Sequence, residues 1–346
     1  MNLPRRALRA AWRHGGWAAL TLARLGRPRT LVQFGTALGD DLLCTAVLRE
    51  LRRRGGRGLW MMTQHPALFA ENPDVDALVP IEERYERLVE WAGGRIRRPF
   101  YGVYDREADL EPSPERHIIT LMCRAAGITG SIALRPYLTL TEAEREGGRV
   151  APRQVVLHSS GLGARWPMRN KEWFPDRFQA VADALRGEYT CVQVGSPTDP
   201  PLDGCVDLRG RTTVRETAAV LAASRLFIGQ VGFLMHLARA VDRPSVIVYG
   251  GRELPWQSGY SCNTNLSTVL PCSPCWRWNA CDHDRACMRS ITAEQVVAAA
   301  LERLARADEP LDVDVDKIAD PPAPIASDDR HPAPTGRRTP AAASTA

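Results

Sequence analysis

An acidic pair, a lysine and a histidine are the residues of this chain best suited, by type and spacing, to do chemistry. Asp40 and Asp41 end a glycine-rich stretch, GTALGDD, that joins an apolar run to a helical pattern. Carboxylates at a strand-to-helix turn lie at the functional edge of a parallel sheet, where one of them suits a general base. The same turn also suits a carboxylate that only caps the helix. Lys171 is noticeable because the only other lysine in the sequence is Lys317.

The histidine belongs to a stretch, residues 225–251, whose pattern is strand, glycine turn, helix and strand. This order is typical of a βαβ unit, in which the helix N-terminus points free backbone N–H groups out of the carboxyl edge of the sheet. Gly232 precedes the helix and His236 lies in its first turn, so both suit the binding of a phosphate group. A histidine that merely covers the helix end is compatible with the same pattern.

Strand and helix patterns alternate on both sides of this unit. The patterns predict strands at residues 31–34, 58–62, 77–80, 154–158, 190–194 and 206–208. They predict helices at residues 42–54, 82–91, 117–127, 176–186, 213–224 and 292–305, with a linker at 142–153. Such alternation predicts an α/β protein with two doubly wound, Rossmann-like domains, residues 31–150 and 151–307, that face each other across a cleft.

The composition is that of a globular protein in a reducing compartment. The chain has 346 residues, of which 44% are apolar, and a formal net charge of +5. This mild charge does not require a nucleic-acid partner. Nine cysteines without a signal-peptide pattern favour the cytoplasm over an oxidising compartment with a disulfide scaffold.

The two ends of the chain differ from its body. The pattern of residues 1–30 predicts a basic amphipathic arm, with Arg6, Arg9 and Arg13 on one helical face. Such an arm either lies on an anionic membrane surface or packs on the domain, and its apolar run is shorter than the roughly 20 residues that span a bilayer. At the other end, the Pro-, Ala- and Asp-rich residues 308–346 predict a disordered tail.

A cysteine-rich loop, residues 262–288, precedes the last predicted helix. Cys272, Cys275, Cys281 and Cys287 have the spacing C-x2-C-x5-C-x5-C. Four thiolates can hold zinc or iron in a tetrahedral structural site. The alternative is a set of reduced thiols packed in a tryptophan-rich loop.

Four segments in order resemble glycosyltransferase family 9, the bacterial heptosyltransferase family, over about residues 31 to 305. The segments are LVQFGTALGDDLLCTAVLRELRRRG, HSSGLGARWPMRNKEWFPDRF, LRGRTTVRETAAVLAASRLFIG and MHLARAVDRPSVIVYGG. The resemblance implies the GT-B fold of two Rossmann-like domains. It also implies an enzyme that transfers a sugar with inversion from a nucleotide-diphosphate donor to an acceptor hydroxyl.

The resemblance implies roles for individual residues. Asp40 matches the catalytic aspartate of the family. The donor-binding residues that the resemblance implies are Ser159, Ser160, Gly161, Lys171, Gly232 and His236. No metal or other cofactor would then be required for catalysis, because the lysine, the helix dipole and the histidine would neutralise the leaving diphosphate.

The resemblance also implies partners and a location. The donor would be a nucleotide sugar such as ADP-heptose, and the acceptor a lipopolysaccharide core, another glycan, a lipid-linked glycan or a protein. The protein would be cytoplasmic, with its arm as a peripheral contact on the inner face of the bacterial inner membrane. The family commonly has Asp-Ser/Thr-Gly before Met-His, but this chain has Val231, Gly232 and Phe233. An alternative is therefore a non-catalytic relative that binds a sugar nucleotide or glycan or serves as a structural partner.

Overall fold

The computed structural model of the protein describes residues 16–35 and 37–319. Its strands are β1 Thr30–Gln33, β2 Leu59–Met62, β3 Ala77–Val79, β4 Arg95–Arg97, β5 Gly130–Ala133, β6 Gln154–Leu157, β7 Thr190–Gln193, β8 Val206–Asp207, β9 Leu226–Gln230, β10 Ser245–Gly250, β11 Thr264–Ser267 and β12 Val315–Ile318. Its helices are α1 (residues 16–25), α2 Leu38–Arg53, α3 Glu83–Trp91, α4 Ile118–Ala125, α5 Glu142–Gly147, α6 Pro175–Leu185, α7 Val214–Ala223, α8 Phe233–Ala240, α9 Pro255–Ser258, α10 Ala286–Arg289 and α11 Ala293–Ala305.

Two parallel sheets organise the molecule. The first sheet has the strand order β3-β2-β1-β4, and the second has the order β11-β10-β9-β6-β7-β8. Every residue of β2, β6, β9 and β10 is buried, as expected for parallel strands that helices cover on both faces. Helix α2 of the first domain packs against α8 of the second. The predicted α/β fold with alternating strands and helices and parallel sheets is confirmed.

Helix α2 begins earlier than its apolar spacing predicts. Its N-cap is Ala37, and no side chain caps the free N–H groups there. Asp40 and Asp41 therefore lie inside the first turn, where their charges suit the helix dipole. The interpretation of either carboxylate as an N-cap is wrong. The predicted capping boxes at Thr213 and Thr292 are confirmed, since each threonine accepts a backbone N–H from the third helical residue.

The predicted linker at 142–153 contains a short helix. Thr141 caps α5 through a capping box with Glu144. Arg215 of α7 binds the same Glu144 at 2.5 Å and donates to the carbonyl of Ala67 in the first domain at 3.1 Å. One arginine therefore joins the inter-domain connection to both domains.

The predicted disordered tail is wrong for residues 308–319. Strand β12 returns to the first domain and pairs antiparallel with β5. Asp316 accepts a hydrogen bond from Thr120 at 2.6 Å and pairs with Arg116, while Ile318 is buried. Local composition favoured disorder, but ladder pairing and ion pairing order this segment. Residues 320–346 lie outside the described part of the chain.

Most of the predicted basic arm, residues 1–15, also lies outside the described residues. Helix α1 packs on the domain through Trp17, whose ring meets the edge of Tyr85 at 5.3 Å, and through Leu22 and Leu25. Across residues 16–35 and 37–319, no helix is both long and apolar enough to cross a membrane.

Candidate functional site

A cavity of about 530 Å³ lies between the domains, at the carboxyl ends of their strands. The first domain contributes the start of α2 and the loop after β2, and the second contributes the loops after β6, β7 and β9. The lining includes Leu38, Gly39, His65, His158, Ser160, Gly161, Lys171 and Gly232. Ligands of open α/β sheets bind at this edge, so the cavity is the candidate active site.

Asp40 directly follows the lining residues Leu38 and Gly39 but is not itself among the residues that line the cavity, and its acidity is perturbed. Burial raises the pKa of its carboxyl group to about 6, although a hydrogen bond from Tyr101 at 3.1 Å opposes the shift. A Cβ on Gly35 would come within 2.9 Å of the Asp40 carboxylate, and Gly35 has φ +48°. The glycine-rich turn therefore leaves room for the carboxylate. A carboxyl group that ionises near pH 6 is well matched to general-base catalysis near neutral pH.

Lys171 extends from the second domain and is held by a buried carboxylate. Its Nζ is 2.7 Å from Oε1 of Glu253, whose side chain is only 3% exposed. Burial alone would raise the pKa of Glu253, but the charges of Lys171 and Arg252 lower it to about 2. Arg252 also binds Glu111 of the first domain at 2.5 Å. A continuous set of charges therefore crosses from one domain to the other next to Asp40.

Glu172 organises the loop that follows β6. Its carboxylate accepts hydrogen bonds from Ser160 Oγ at 2.8 Å, from the Gly161 backbone N–H at 2.7 Å and from Gln230 Nε2 at 2.5 Å. Burial raises the pKa of Glu172. Ser159 is different, because its buried hydroxyl bonds Pro200 and Gln193 and it is not among the cavity-lining residues that the structure describes. The structure thus brings Ser160 and Gly161 to the cavity and keeps Ser159 inside the fold.

Gly232 and His236 occupy different depths at the start of α8. A Cβ on Gly232 would meet no atom within 4 Å, since this residue borders open space in the cavity. His236 is 6% exposed, and its Nδ1 lies 2.6 Å from the hydroxyl of Tyr260. Burial lowers the pKa of His236 to about 3, which keeps the imidazole neutral. The His236 side chain therefore lies beneath the cavity wall, near Lys171 and Glu253, and does not line the cavity in this state of the protein.

The four cysteines of the C-x2-C-x5-C-x5-C pattern converge. Cys272, Cys275, Cys281 and Cys287 line one small cavity of about 20 Å³ together with His283. In the described residues, no three His, Cys, Asp or Glu side chains are close enough to form a ready metal site. Four cysteines and a histidine are a donor set of the kind that binds zinc or iron through thiolates.

Several residues of the site escape a sequence-based search. Tyr101 lies in a stretch without a clear pattern, and Glu111 follows it. Glu253 and Glu172 are ordinary acidic residues in the sequence, and only tertiary contacts bring them to Lys171 and to the loop after β6. His65 follows β2 without any motif. For His65 and Glu253 the available signal was their position a few residues after a predicted strand, whereas Tyr101, Glu111 and Glu172 had no such signal.

The fold matches solved glycosyltransferases of the GT-B class. ADP-heptose lipopolysaccharide heptosyltransferase II of Escherichia coli superposes with a TM-score of 0.60 at 17% identity, over 81% of this chain and 100% of that one. The iron-containing dodecameric glycosyltransferase TibC of enterotoxigenic E. coli also gives a TM-score of 0.60, at 19% identity, over 81% of this chain and 77% of that one. The predicted GT-B fold is confirmed.

Sequence comparisons agree with the fold. The model of glycosyltransferase family 9 (heptosyltransferase) matches residues 139–282. Lipooligosaccharide heptosyltransferase 2 of Haemophilus influenzae is 27% identical over 137 residues, which are 34% of this chain and 40% of that protein. The chain thus aligns with about two fifths of that relative. The resemblance indicated by the motifs is confirmed over residues 139–282, where the chain is similar to glycosyltransferase family 9.

Proposed function

We propose that this protein is an inverting glycosyltransferase that moves a sugar from a nucleoside diphosphate to a hydroxyl group of an acceptor. The observation that carries the proposal is that Lys171 and the first turn of α2 lie at the same cavity, where the Lys171 charge acts on the Asp40 carboxyl group and lowers its pKa. The carboxyl group of Asp40 comes from the first domain and has a pKa near 6, whereas Lys171 comes from the second domain and carries a positive charge. A base on one wall and a cation on the other are what displacement at an anomeric carbon requires.

In this mechanism Asp40 removes the proton of the acceptor hydroxyl as that oxygen attacks the anomeric carbon. The bond to the diphosphate oxygen breaks on the opposite side, and negative charge develops on the leaving group. Lys171 and the N-terminus of α8 at Gly232 would stabilise that charge, with Ser160 and Gly161 on the adjoining loop. His236 would act from beneath the wall and would reach a phosphate only if the helix start shifts.

We propose an ADP-heptose-like donor and a lipopolysaccharide- or lipooligosaccharide-core acceptor. The support is similarity to other proteins in fold and in sequence. A TibC structure of similar fold contains ADP-D-beta-D-heptose, and the H. influenzae protein of similar sequence is a lipooligosaccharide heptosyltransferase. Val231 and Phe233 replace the usual acidic and small residues, and they line the cavity. The altered motif therefore leaves the cavity open, which favours an active enzyme over a non-catalytic relative.

We also propose a structural metal and a membrane contact. Cys272, Cys275, Cys281 and Cys287 would hold one zinc or iron ion if the loop closed around it, and such binding would stabilise the fold. Because none of the four cysteines is among the residues that line the inter-domain cavity, this metal would take no direct part in sugar transfer.

The basic sequence of residues 1–30 would hold the enzyme at the inner face of the bacterial inner membrane, where a lipid-linked acceptor is accessible.

Release of ADP from ADP-heptose tests the function. Wild-type protein with a deep-truncated lipooligosaccharide acceptor should release ADP in proportion to acceptor, and Asp40→Asn should lower turnover by about 10² to 10⁴-fold, the usual contribution of a positioned base. The variant should still bind ADP-heptose in calorimetry. Wild-type protein that binds no nucleotide sugar would refute the proposed function and support a non-catalytic role.

A further inference from the structure

A second carboxylate of α2 is paired with a histidine on the wall of the cavity. Nδ1 of His65 lies 2.9 Å from Oδ2 of Asp41. The same oxygen accepts the hydroxyl of Thr63 at 2.5 Å, and Thr63 in turn accepts the backbone N–H of His65 at 2.7 Å. The end of β2 and the first turn of α2 are therefore tied together through three side chains.

The contact between Nδ1 of His65 and Asp41 fixes the orientation of the imidazole ring. Asp41 is 1% exposed, and burial raises the pKa of its carboxyl group while the bonds from Thr63 and His65 oppose the shift. A carboxylate at this distance accepts the N–H of Nδ1, so a neutral ring keeps an unprotonated Nε2. The second Asp41 oxygen, Oδ1, is buried without a hydrogen-bond partner. The contact through Nδ1 thus leaves Nε2 as the ring nitrogen available to a ligand.

The side chain of His65 is partly accessible, whereas that of its partner Asp41 is buried. The His65 side chain is 23% exposed and lines the same cavity as Lys171, Gly232 and Phe233. Thr217 and Val214 of α7 in the second domain line that cavity as well. A histidine with a purely structural role at the end of β2 would not need an open side facing the other domain.

We propose that His65 is a substrate-binding residue of the inter-domain cavity, whose Nε2 accepts a hydrogen bond from a carbohydrate hydroxyl, and that Asp41 is its positioning residue. The inference rests on the proposed glycosyltransferase function and extends it. A hydroxyl group is the favoured ligand because an unprotonated Nε2 accepts a hydrogen bond but donates none. The hydroxyl could belong to the donor or to the acceptor, and steady-state kinetics with each substrate varied distinguish them.

The test compares His65→Ala, His65→Gln and Asp41→Asn with an exposed neighbour, Gln64→Ala, as the matched control. Loss of one substrate hydrogen bond should lower kcat/KM about tenfold in His65→Ala, and the substrate whose KM rises is the one that His65 contacts. His65→Gln keeps an acceptor oxygen and should restore part of the loss. Asp41→Asn should reduce kcat/KM in the same direction, and the double variant should lose no more than His65→Ala alone.

A purely structural dyad gives a different pattern. In that case His65→Ala lowers the melting temperature but leaves kcat/KM with ADP-heptose and with the acceptor as in wild type, and the inference is wrong. Histidine ¹⁵N spectra of the folded wild-type protein give a second measurement, since added ADP-heptose or acceptor should shift Nε2 of His65. Unchanged spectra with both ligands, in a protein that turns them over, contradict the inference alone. Wild-type protein without any binding or turnover would refute the proposed function and this inference together.

Discussion

Replacement of Asp40 by Asn should make the protein more stable at neutral pH while removing its activity. The substitution keeps the shape of the side chain and an oxygen that can accept the hydrogen bond from Tyr101, but it removes the charge. Burial raises the pKa of Asp40 from 3.8 to about 6, so ionisation of this group costs the folded state free energy. The unfolded chain ionises without that cost. The proposed catalytic use of the carboxylate and its effect on stability therefore oppose each other.

The magnitude follows from proton linkage. The folded protein holds the Asp40 proton more tightly than the unfolded chain, so the free energy of unfolding falls as pH rises from about 3.8 to about 6 and is then constant. One pKa unit corresponds to about 1.36 kcal/mol, so the gain of Asp40→Asn over wild type should be about 1.6 kcal/mol at pH 5 and approach about 3 kcal/mol at pH 7.5. These values are upper limits, because the side chain retains some solvent contact.

Urea denaturation of the wild type and the variant at both pH values measures this difference. Glu146→Gln on α5, an exposed carboxylate, is the control and should show no comparable pH-dependent gain. In the wild type, kcat/KM should fall with decreasing pH below about 6, since the base must be ionised. An Asp40→Asn protein that is less stable than wild type at pH 7.5, or whose gain is equal at pH 5 and pH 7.5, would refute the argument for a buried, perturbed base.

Three further predictions concern the lysine, the cysteines and the arm. Lys171→Ala should weaken donor binding and also destabilise the protein by about 3 kcal/mol, because it leaves the buried Glu253 carboxylate with only the longer, 3.4 Å contact to Arg252. Adding Glu253→Gln should recover stability but not donor affinity in calorimetry. Cys275→Ser should lower both the metal content, measured by elemental analysis, and the melting temperature. Cys262→Ser, outside the four-cysteine set, is the control and should preserve the metal. A wild-type protein that is fully stable without metal would favour packed thiols. Deletion of residues 1–15, which spares the packed α1, should reduce sedimentation with anionic vesicles, and equal sedimentation would contradict a membrane role for the arm.

Much of the architecture was predictable because it depends on local patterns. The apolar runs at β1, β2, β6, β9 and β10 are buried on both faces of parallel strands, and a run of that kind can be recognised without knowing its neighbours. The capping boxes at Thr213 and Thr292 likewise involve residues only three positions apart. For the same reason, the sequence located Asp40 just after a predicted strand and Lys171 just before a predicted helix. The alternation of predicted strands and helices indicated the α/β class.

The remaining features depend on contacts between residues far apart in the chain. Strand β12 has a composition typical of disorder, yet it is ordered because β5, about 180 positions earlier, supplies its hydrogen-bond partners. The pairing of Lys171 with Glu253 and that of Asp41 with His65 likewise need the folded sheets to bring their loops together. No hydrophobic period and no fixed motif spacing in the sequence indicates either pairing.

The sequence by itself determined which residue types stand at the ends of the strands, and hence the class of protein and its candidate chemistry. Only the tertiary structure decided which of those residues reach the cavity. Ser160, Gly161, Lys171 and Gly232 line it, whereas His236 is buried against Tyr260. The physical reason is that burial and pairing, which set both access to a ligand and the pKa of Asp40, are properties of the packed interior and not of the local chain.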